Sequence, residues 1–451
     1  MERFSRRGDR MINLFEYFNL PSAELYQSLR LAGNNHPTIV IEDDGFLPDN
    51  IITPYRYFAH YHPELTKALY FNAVKKPKYW EIEGNNSEAH IKDNGRTKAN
   101  IIYKMNYKSR IVERVEWLGD NNNVRYIDHY TKHGLRFAQT VNDIHGKSIM
   151  KTYFTKEGKV VIYENYITGS IMLTLDDKEY IFSNKAEFIT YFIDQLDVDT
   201  SKIIFNSLSL PLIAIYNRKQ RTQGYLFWQE QVQDALPGNM VSIIESNNHL
   251  SFEVIVPNKL EYARITTLTK KELHHKIKQS GYLYQYHRKN TFTKNVLTMT
   301  NSDQLPHVEH IIKNSLDYTF TIAAITEMSS KLMNLGKYKN VKLYPSVELN
   351  KARQLYEAAD IYLDINQGNE IMNAVRSAYD YDHLIMGYKE TAHNVTYTNN
   401  AMLVSEREPD LLLKYLHMKK SEKEAALKKQ KSQANEVSVE MFNGALDIIK
   451  T

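Results

Sequence analysis

Asp43 and Asp44 stand side by side just past the apolar run Thr38–Glu42, and Gly45 and Phe46 follow them. Paired aspartates at a strand end can hold a metal ion or divide acid and base roles between them. Asp-Gly is also a strong turn signal, in which carboxylates cap backbone N–H groups. A second set of candidates lies far downstream. Asn301-Ser302 follow the run Asn295–Met299, and Thr326-Glu327 follow Phe320–Ala324. Gln367-Gly368-Asn369-Glu370 follow Ile361–Ile365, one residue on. Hydroxyl and amide residues at successive strand ends suit hydrogen bonding to a sugar or peptide, and they equally cap the helices that come next. Two histidine pairs are weaker candidates. Adjacent His274 and His275 diverge by about 100° on a helix and to opposite sides on a strand. A metal site from that pair alone is not expected, and His307 and His310 could share a helix face, but with no third ligand near they read as surface polar residues. The sequence has no cysteine, which excludes disulfides, thiolate chemistry and Cys-based zinc sites and fits a reducing cytoplasm. No metal and no cofactor is expected.

The elements that position these residues can be read from period and punctuation. The 17 glycines never come closer than 11 positions, as at Gly84–Gly95 and Gly158–Gly169. That spacing excludes a dinucleotide fingerprint, a Walker loop and a nucleophile elbow. Ile361–Ile365 reads as a buried strand, 366–369 as a polar loop, and Ile371, Met372, Val375, Ala378 and Tyr379 as the apolar face of a helix. A strand, glycine loop and helix form half of a βαβ unit, whose ligand lies beyond the strand's carboxyl end. Ile365 to Asn373 should therefore border a cleft. With strands at Asn295–Met299, Phe320–Ala324 and Asn340–Tyr344 and a helix at Ala352–Ala359, the region reads as a doubly wound parallel sheet. The N-terminal part reads likewise. Pro21-Ser22 start a helix with Leu25 and Leu29 on one face, and strands are expected at Thr38–Glu42, Lys202–Phe205, Tyr225–Trp228 and Ser251–Val256.

Between Phe58 and Leu196 the texture changes. Glycine, asparagine and aspartate punctuate runs rich in Val, Ile, Tyr and Phe, among them Ala99–Tyr107, Ile111–Leu118, Val124–Tyr130, Ser148–Phe154, Val160–Ile167 and Ser170–Leu175. This spacing predicts a β-meander, closed by a helix at Lys185–Leu196. Its edge strands and aromatic face invite a partner. The expected organisation is an N-terminal Rossmann-like domain from 11–57 and 198–265, an inserted meander at 58–197, and a C-terminal Rossmann-like domain at 266–432. A tail helix at 433–451, with Val439, Phe442, Leu446 and Ile449 in one stripe, is expected to pack back on the first domain. Thr266–Thr293, which holds the Lys270–Lys276 basic cluster, reads as the linker.

A chain of 451 residues fits two or three domains, and 42% hydrophobic with 24% charged content is ordinary for a globular protein. A net charge of +4 does not argue for nucleic acid. The longest apolar run, Leu208–Tyr216, is broken by Pro211 and far short of the ~20 residues of a membrane span. Residues 1–10 carry four arginines without an apolar region behind them, so they do not read as a signal peptide and receive no role in the fold. Lys419–Lys431 reads as a charge-rich helix with a solvated face, which also admits peripheral contact with an anionic membrane surface.

The loop at Gly368 resembles the nucleotide-sugar loop of two-domain retaining glycosyltransferases, which reads Glu-Gly-Phe-Gly and continues into a helix with a second Glu before Ala. Aligning on Gly368 and Ala374 places those glutamates on Ile365 and Asn373, so both acids are replaced. Across nearly everything after Met11 the chain resembles the GtfB-type stabilising subunits of heteromeric peptide O-GlcNAc transferases. The resemblance is carried by Asp43-Asp44-Gly45-Phe46-Leu47-Pro48, Leu297-Thr-Met-Thr-Asn301, Phe320-Thr-Ile-Ala-Ala324 with Thr326-Glu327-Met328-Ser329, and Tyr362-Leu-Asp-Ile-Asn366. It implies an α/β, GT-B-like pair of Rossmann-type domains with a meander insertion in the first. It further implies a non-catalytic, cytoplasmic subunit that stabilises a GtfA-like catalytic partner through the meander. That subunit would help bind a serine-rich repeat adhesin before accessory Sec export. Acceptor contacts are then expected from Asp43, Asp44, Gly45, Asn301, Ser302, Thr326, Glu327, Gln367, Gly368, Asn369 and Glu370. The alternative is a self-sufficient retaining glycosyltransferase in which Glu370 and Arg376 replace the lost donor-site groups.

Overall fold

The computed structural model describes residues 11–61, 67–105, 107–108, 110–246 and 250–447. The chain forms two compact units, Met1–Gln279 with Ala445–Thr451, and Ser280–Gly444. The first holds a parallel sheet of six strands among the described residues. Its order is Ile277–Gln279, Leu250–Val256, Thr222–Phe227, Lys202–Phe205, Ile12–Phe15 and Thr38–Val40. The chain winds outward from Ile12–Phe15 to one side and then crosses to the other, so the topological switch point lies between Ile12–Phe15 and Lys202–Phe205.

The stretch from Glu81 to Phe182 is an antiparallel meander of ten strands in sequence order. The turn residues recognised in the sequence fall at its hairpins. Strands at Arg136–Asn142, Glu81–Gly84, Ala89–Asp93 and Lys178–Phe182 complete it. Six successive pairs, from Ala89–Asp93 through Val160–Asn165, carry a register shift, which increases local twist and coils the sheet. The meander and the parallel sheet share one hydrophobic core. Tyr55 of the helix Pro54–Ala59 stacks on meander residue Tyr153 at 4.0 Å, and Phe58 and Phe188 pack beside it.

The second unit holds a parallel sheet ordered Val341–Tyr344, Thr319–Ala324, Asn295–Thr300, Ile361–Asp364, Leu384–Tyr388 and Leu403–Val404. Its switch point lies between Asn295–Thr300 and Ile361–Asp364, which brings the loops after those two strands together.

Three expectations need correction. The helix after Gly368 starts only at Ala374, because Met372 and Asn373 both hold left-handed backbone (φ 51° and 48°). The stretch read as a linker contains Ile277–Gln279, the edge strand of the first sheet. The helix Lys420–Gln433 is not simply solvated. Lys423, Ala426, Leu427 and Gln430, at i, i+3, i+4 and i+7, are buried; Lys423 donates to the Tyr318 hydroxyl, and Gln430 bonds Ile385 N and His383 O. In the tail, Phe442 and Leu446 are buried, and the Asp447 carboxylate receives Tyr225 Oη (3.3 Å) and Lys278 Nζ (3.1 Å); Ile449 and residues 1–10 lie outside the described residues.

Because one core spans meander and sheet, Phe188→Ala is expected to destabilise both together, by about 3–5 kcal/mol for a buried phenylalanine. Native-state hydrogen exchange should show amides of Ser148–Phe154 and Lys202–Phe205 losing protection in parallel, and loss confined to one of them would contradict a shared core.

Candidate functional site

At the carboxyl end of the Ile361–Asp364 strand the side chain of Asp364 is 2% exposed, and such a carboxylate must find hydrogen-bond donors. It finds them in His393, whose backbone N donates to Oδ2 (2.8 Å) and whose ring Nδ1 lies 2.6 Å from Oδ1. The other ring nitrogen, Nε2, donates to the Gly368 carbonyl at 2.7 Å. The Asp364 hydrogen bond lifts the His393 pKa to about 9, so the ring is an imidazolium at neutral pH and both nitrogens donate.

Asn366 organises the loop from the other side. Its Oδ1 accepts from Thr300 Oγ1 (2.8 Å) and Gly368 N (3.2 Å). Its Nδ2 lies 3.2 Å from Asn301 Oδ1 and from the carbonyls of Gly368 and Asn369. Gly368 has no room for a side chain, since a Cβ there would collide with Asn301 Oδ1. Ser302 N donates to Thr300 Oγ1, and Gln367 N donates to the Gln304 carbonyl. Glu370 reaches forward to the new helix, where its Oε1 accepts from Val375 N at 2.9 Å.

The structure thus brings Asn301, Ser302, Gln367, Gly368, Asn369 and Glu370 into one loop cluster at the switch point. Thr326 and Glu327 are exposed beyond Thr319–Ala324 and make no hydrogen bond to that loop among the described residues. Asp43, Asp44 and Gly45 belong to the other unit, where they act as turn residues. Asp43 is 5% exposed; its Oδ1 accepts from Gly45 N and its Oδ2 from Thr53 and Tyr61. Asp44 accepts from Phe46 N and from Lys104 of the meander. Gly45, at φ 80°, packs against the backbone of Tyr130 and Thr131, and its carbonyl accepts from Lys132 N.

Of the two positions that the alignment on Gly368 and Ala374 led us to expect in place of glutamates, Ile365 is fully buried and Asn373 precedes the helix in left-handed backbone without a side-chain cap. Arg376 is engaged elsewhere: it pairs with Asp380 (2.8 Å), donates to the Tyr397 hydroxyl (3.0 Å) and lies over the rings of Tyr284 and Tyr397. The histidine pairs are local too. His274 and His275 bond the carbonyls of Thr269 and Glu272, His310 bonds Asp410, and His307 packs against Tyr388. Among the described residues no group of three or more His, Asp or Glu could hold a metal ion. Sequence reasoning missed His393, Asp364 and Asn366 as the loop's supports. A carboxylate inside an otherwise apolar strand was the available signal for Asp364; nothing in the local pattern marks His393.

Raising the His393 pKa above its unfolded value of about 6.5 means that its contribution to stability is complete below pH 6.5 and is lost as pH rises through about 9. The Ser280–Gly444 unit should therefore lose stability over that window, and His393→Gln should flatten the loss in thermal melts. An unchanged slope in the variant would contradict the imidazolium clamp.

Four family models cover the chain in order. They are the GtfB N-terminal domain (residues 12–58), the GtfB middle domain (80–183), the GtfB third domain (185–268) and the GftB/GlyA-F C-terminal domain (296–433). The UDP-N-acetylglucosamine–peptide N-acetylglucosaminyltransferase stabilizing protein GtfB of Streptococcus pneumoniae serotype 4 is 38% identical over 97% of this chain and 99% of its own length. A crystal structure of a GtfA/B complex bound to UDP and GlcNAc contains a chain that is 36% identical, with a TM-score of 0.89, covering 97% of this chain and 99% of that one. S. aureus TarM, 13% identical with a TM-score of 0.52 over 97% of this chain and 100% of its own, shares the fold. Two Rossmann-type sheets in one chain, with these neighbours, make the fold GT-B-like.

Proposed function

The chain belongs to the GtfB family, and from that premise we propose that it is the non-catalytic subunit of a heteromeric peptide O-GlcNAc transferase, stabilising a GtfA-like catalytic subunit and binding the acceptor. The observation that carries this reading is the self-contained loop at Gly368. Transfer from a diphospho-sugar needs cationic or dipolar groups aimed at the leaving phosphate and an acid near the sugar. Here the two acidic positions hold Ile365 and Asn373, Glu370 caps the next helix, and Arg376 is paired with Asp380 beneath tyrosine rings. A mould of this kind suits holding a polypeptide for chemistry performed elsewhere.

The finer features follow the same reading. The acceptor is a serine-rich repeat adhesin awaiting accessory Sec export, met by the loops after the parallel strands, including Asn301, Ser302, Gln367, Gly368, Asn369, Thr326 and Glu327. The partner docks on the meander, whose Lys178–Phe182 strand ends the sheet with Ile181 75% exposed. The setting is the cytoplasm, with peripheral contact at the membrane; among the described residues no helix is long and apolar enough to cross one.

Purified chain incubated with UDP-N-acetylglucosamine and a Ser/Thr-rich peptide is expected to transfer no sugar. Adding a GtfA-type subunit should give transfer and slow that subunit's aggregation. Turnover by the lone chain, abolished by Glu370→Gln, would contradict the reading in favour of a self-sufficient enzyme.

A further inference from the structure

A cavity of about 160 Å³ lies wholly within the first unit, where the helix Leu20–Leu31 meets the outermost strand of the parallel sheet. Tyr26 and Arg30, one turn apart on that helix, contribute one part of its lining. The loop at Asn35 and His36, leading into the strand Thr38–Val40, contributes a second. Asn50 and Ile52 contribute the third. They are held beside the strand because Ile52 N donates to Thr38 O and Val40 N to Ile52 O, each 2.9 Å. The cavity therefore sits at the amino end of this strand, whereas Asp43, Asp44 and Gly45 follow its carboxyl end.

What remains unused around the cavity is mostly hydrogen-bond donors. The Arg30 guanidinium makes no hydrogen bond or ion pair among the described residues. The Tyr26 hydroxyl accepts from Asn50 Nδ2, which leaves its own proton to give. Asn35 and Asn50 add amide N–H groups. The acceptors nearby are taken. Pro37 O receives Asn13 N, Thr38 O receives Ile52 N, and Thr38 Oγ1 receives Asn13 Nδ2 at 2.9 Å. Gly33, at φ 82°, closes the helix with its N donating to Arg30 O while Asn34 N donates to Leu29 O, so these last carbonyls are capped. Among the described residues none that lines the cavity is acidic. Asp49, next to Asn50 in the chain, pairs instead with Lys132 (2.8 Å) and His133 (3.2 Å).

Charge and size set the class of ligand. A cation would face the guanidinium with no carboxylate to offset it. An anion gains the paired N–H groups of Arg30, whose planar fork matches a tetrahedral oxyanion, and the hydroxyl and amide donors around it. The volume is well below the ~300 Å³ at which drug-sized sites begin, so the ligand is compact. Pro37 and Ile52 give the lining an apolar side on which a short substituent can rest. We propose that this cavity binds a phosphoryl group, either as inorganic phosphate or on a small phosphomonoester. The site stands apart from the acceptor-binding reading and does not depend on it.

Thermal melts of the full chain at one ionic strength compare chloride, inorganic phosphate and glycerol phosphate. At about tenfold excess over the dissociation constant, phosphate is expected to raise the melting temperature by about 2 °C over chloride. Arg30→Gln should melt like the unaltered chain in chloride, because the guanidinium has no partner among the described residues to lose, and should abolish the shift. Asn50→Asp, which sets a carboxylate in the lining, should abolish it as well. A general effect of phosphate excluded from the protein surface would persist in both variants. A shift with glycerol phosphate as large as that with inorganic phosphate assigns the cavity a phosphomonoester, and a shift with inorganic phosphate alone assigns it the free ion. No shift above chloride with either probe, or a shift that survives Arg30→Gln, would overturn the site.

Discussion

A carboxylate brought to the end of a fully buried strand has to be matched, and in the second unit nearly everything around the loop follows from how Asp364 is matched. Leaving such a charge unpaired costs about 3–5 kcal/mol, which a marginally stable unit cannot absorb. His393 supplies two donors to Asp364, its backbone N–H and its ring Nδ1, and donates its other ring N–H to the Gly368 carbonyl, so a buried charge and a half-buried glycine turn are fixed by one residue. Asn366 and Asn301 hold the same turn from its other edge. The loop is rigid because its polar groups face one another.

That arrangement bears on function through what it leaves over. In a donor-binding loop, backbone N–H groups and a helix N-terminus must be open to a diphosphate. Here Gly368 N is given to Asn366, Gln367 N to Gln304 and Val375 N to Glu370. Family membership then supplies the context in which a closed loop makes sense, since the relatives it matches are named as stabilising proteins of a transferase. The meander, welded to the first parallel sheet by Tyr55, Tyr153 and Phe188, gives that unit a rigid outer surface rather than a loosely attached module.

Much of the fold was legible because the two periods of the chain are clean. Lys202–Phe205, Val124–Tyr130 and Ser148–Phe154 stand at the boundaries read from their residues, since each is a β-branched and aromatic run between turn residues. The failures have physical causes. Lys423 and Gln430 occupy the buried face of Lys420–Gln433, so two polar residues with specific partners hid an otherwise regular stripe. Ile371 and Met372 extended the helical period by one turn too far, because apolar spacing cannot reveal two successive left-handed residues. At the candidate site, the loop at 366–370 could be placed from its strand, glycine and helix. Its main support could not: His393 comes 25 residues after Gly368 and reaches it only because the sheet sets Leu384–Tyr388 beside Ile361–Asp364. For Asp43 and Asp44 the turn signal of Asp-Gly is what their hydrogen bonds follow, with Asp43 buried beneath Tyr61 and Thr53.

The central claim, that the Gly368 loop is closed on itself and does not receive a nucleotide-sugar, is tested most directly by hydrogen exchange of the lone chain with and without saturating UDP-N-acetylglucosamine. The expected result is that amides of 366–375 are already protected and do not change. New protection confined to that loop on adding the nucleotide-sugar, lost again in Gly368→Ala, would contradict it.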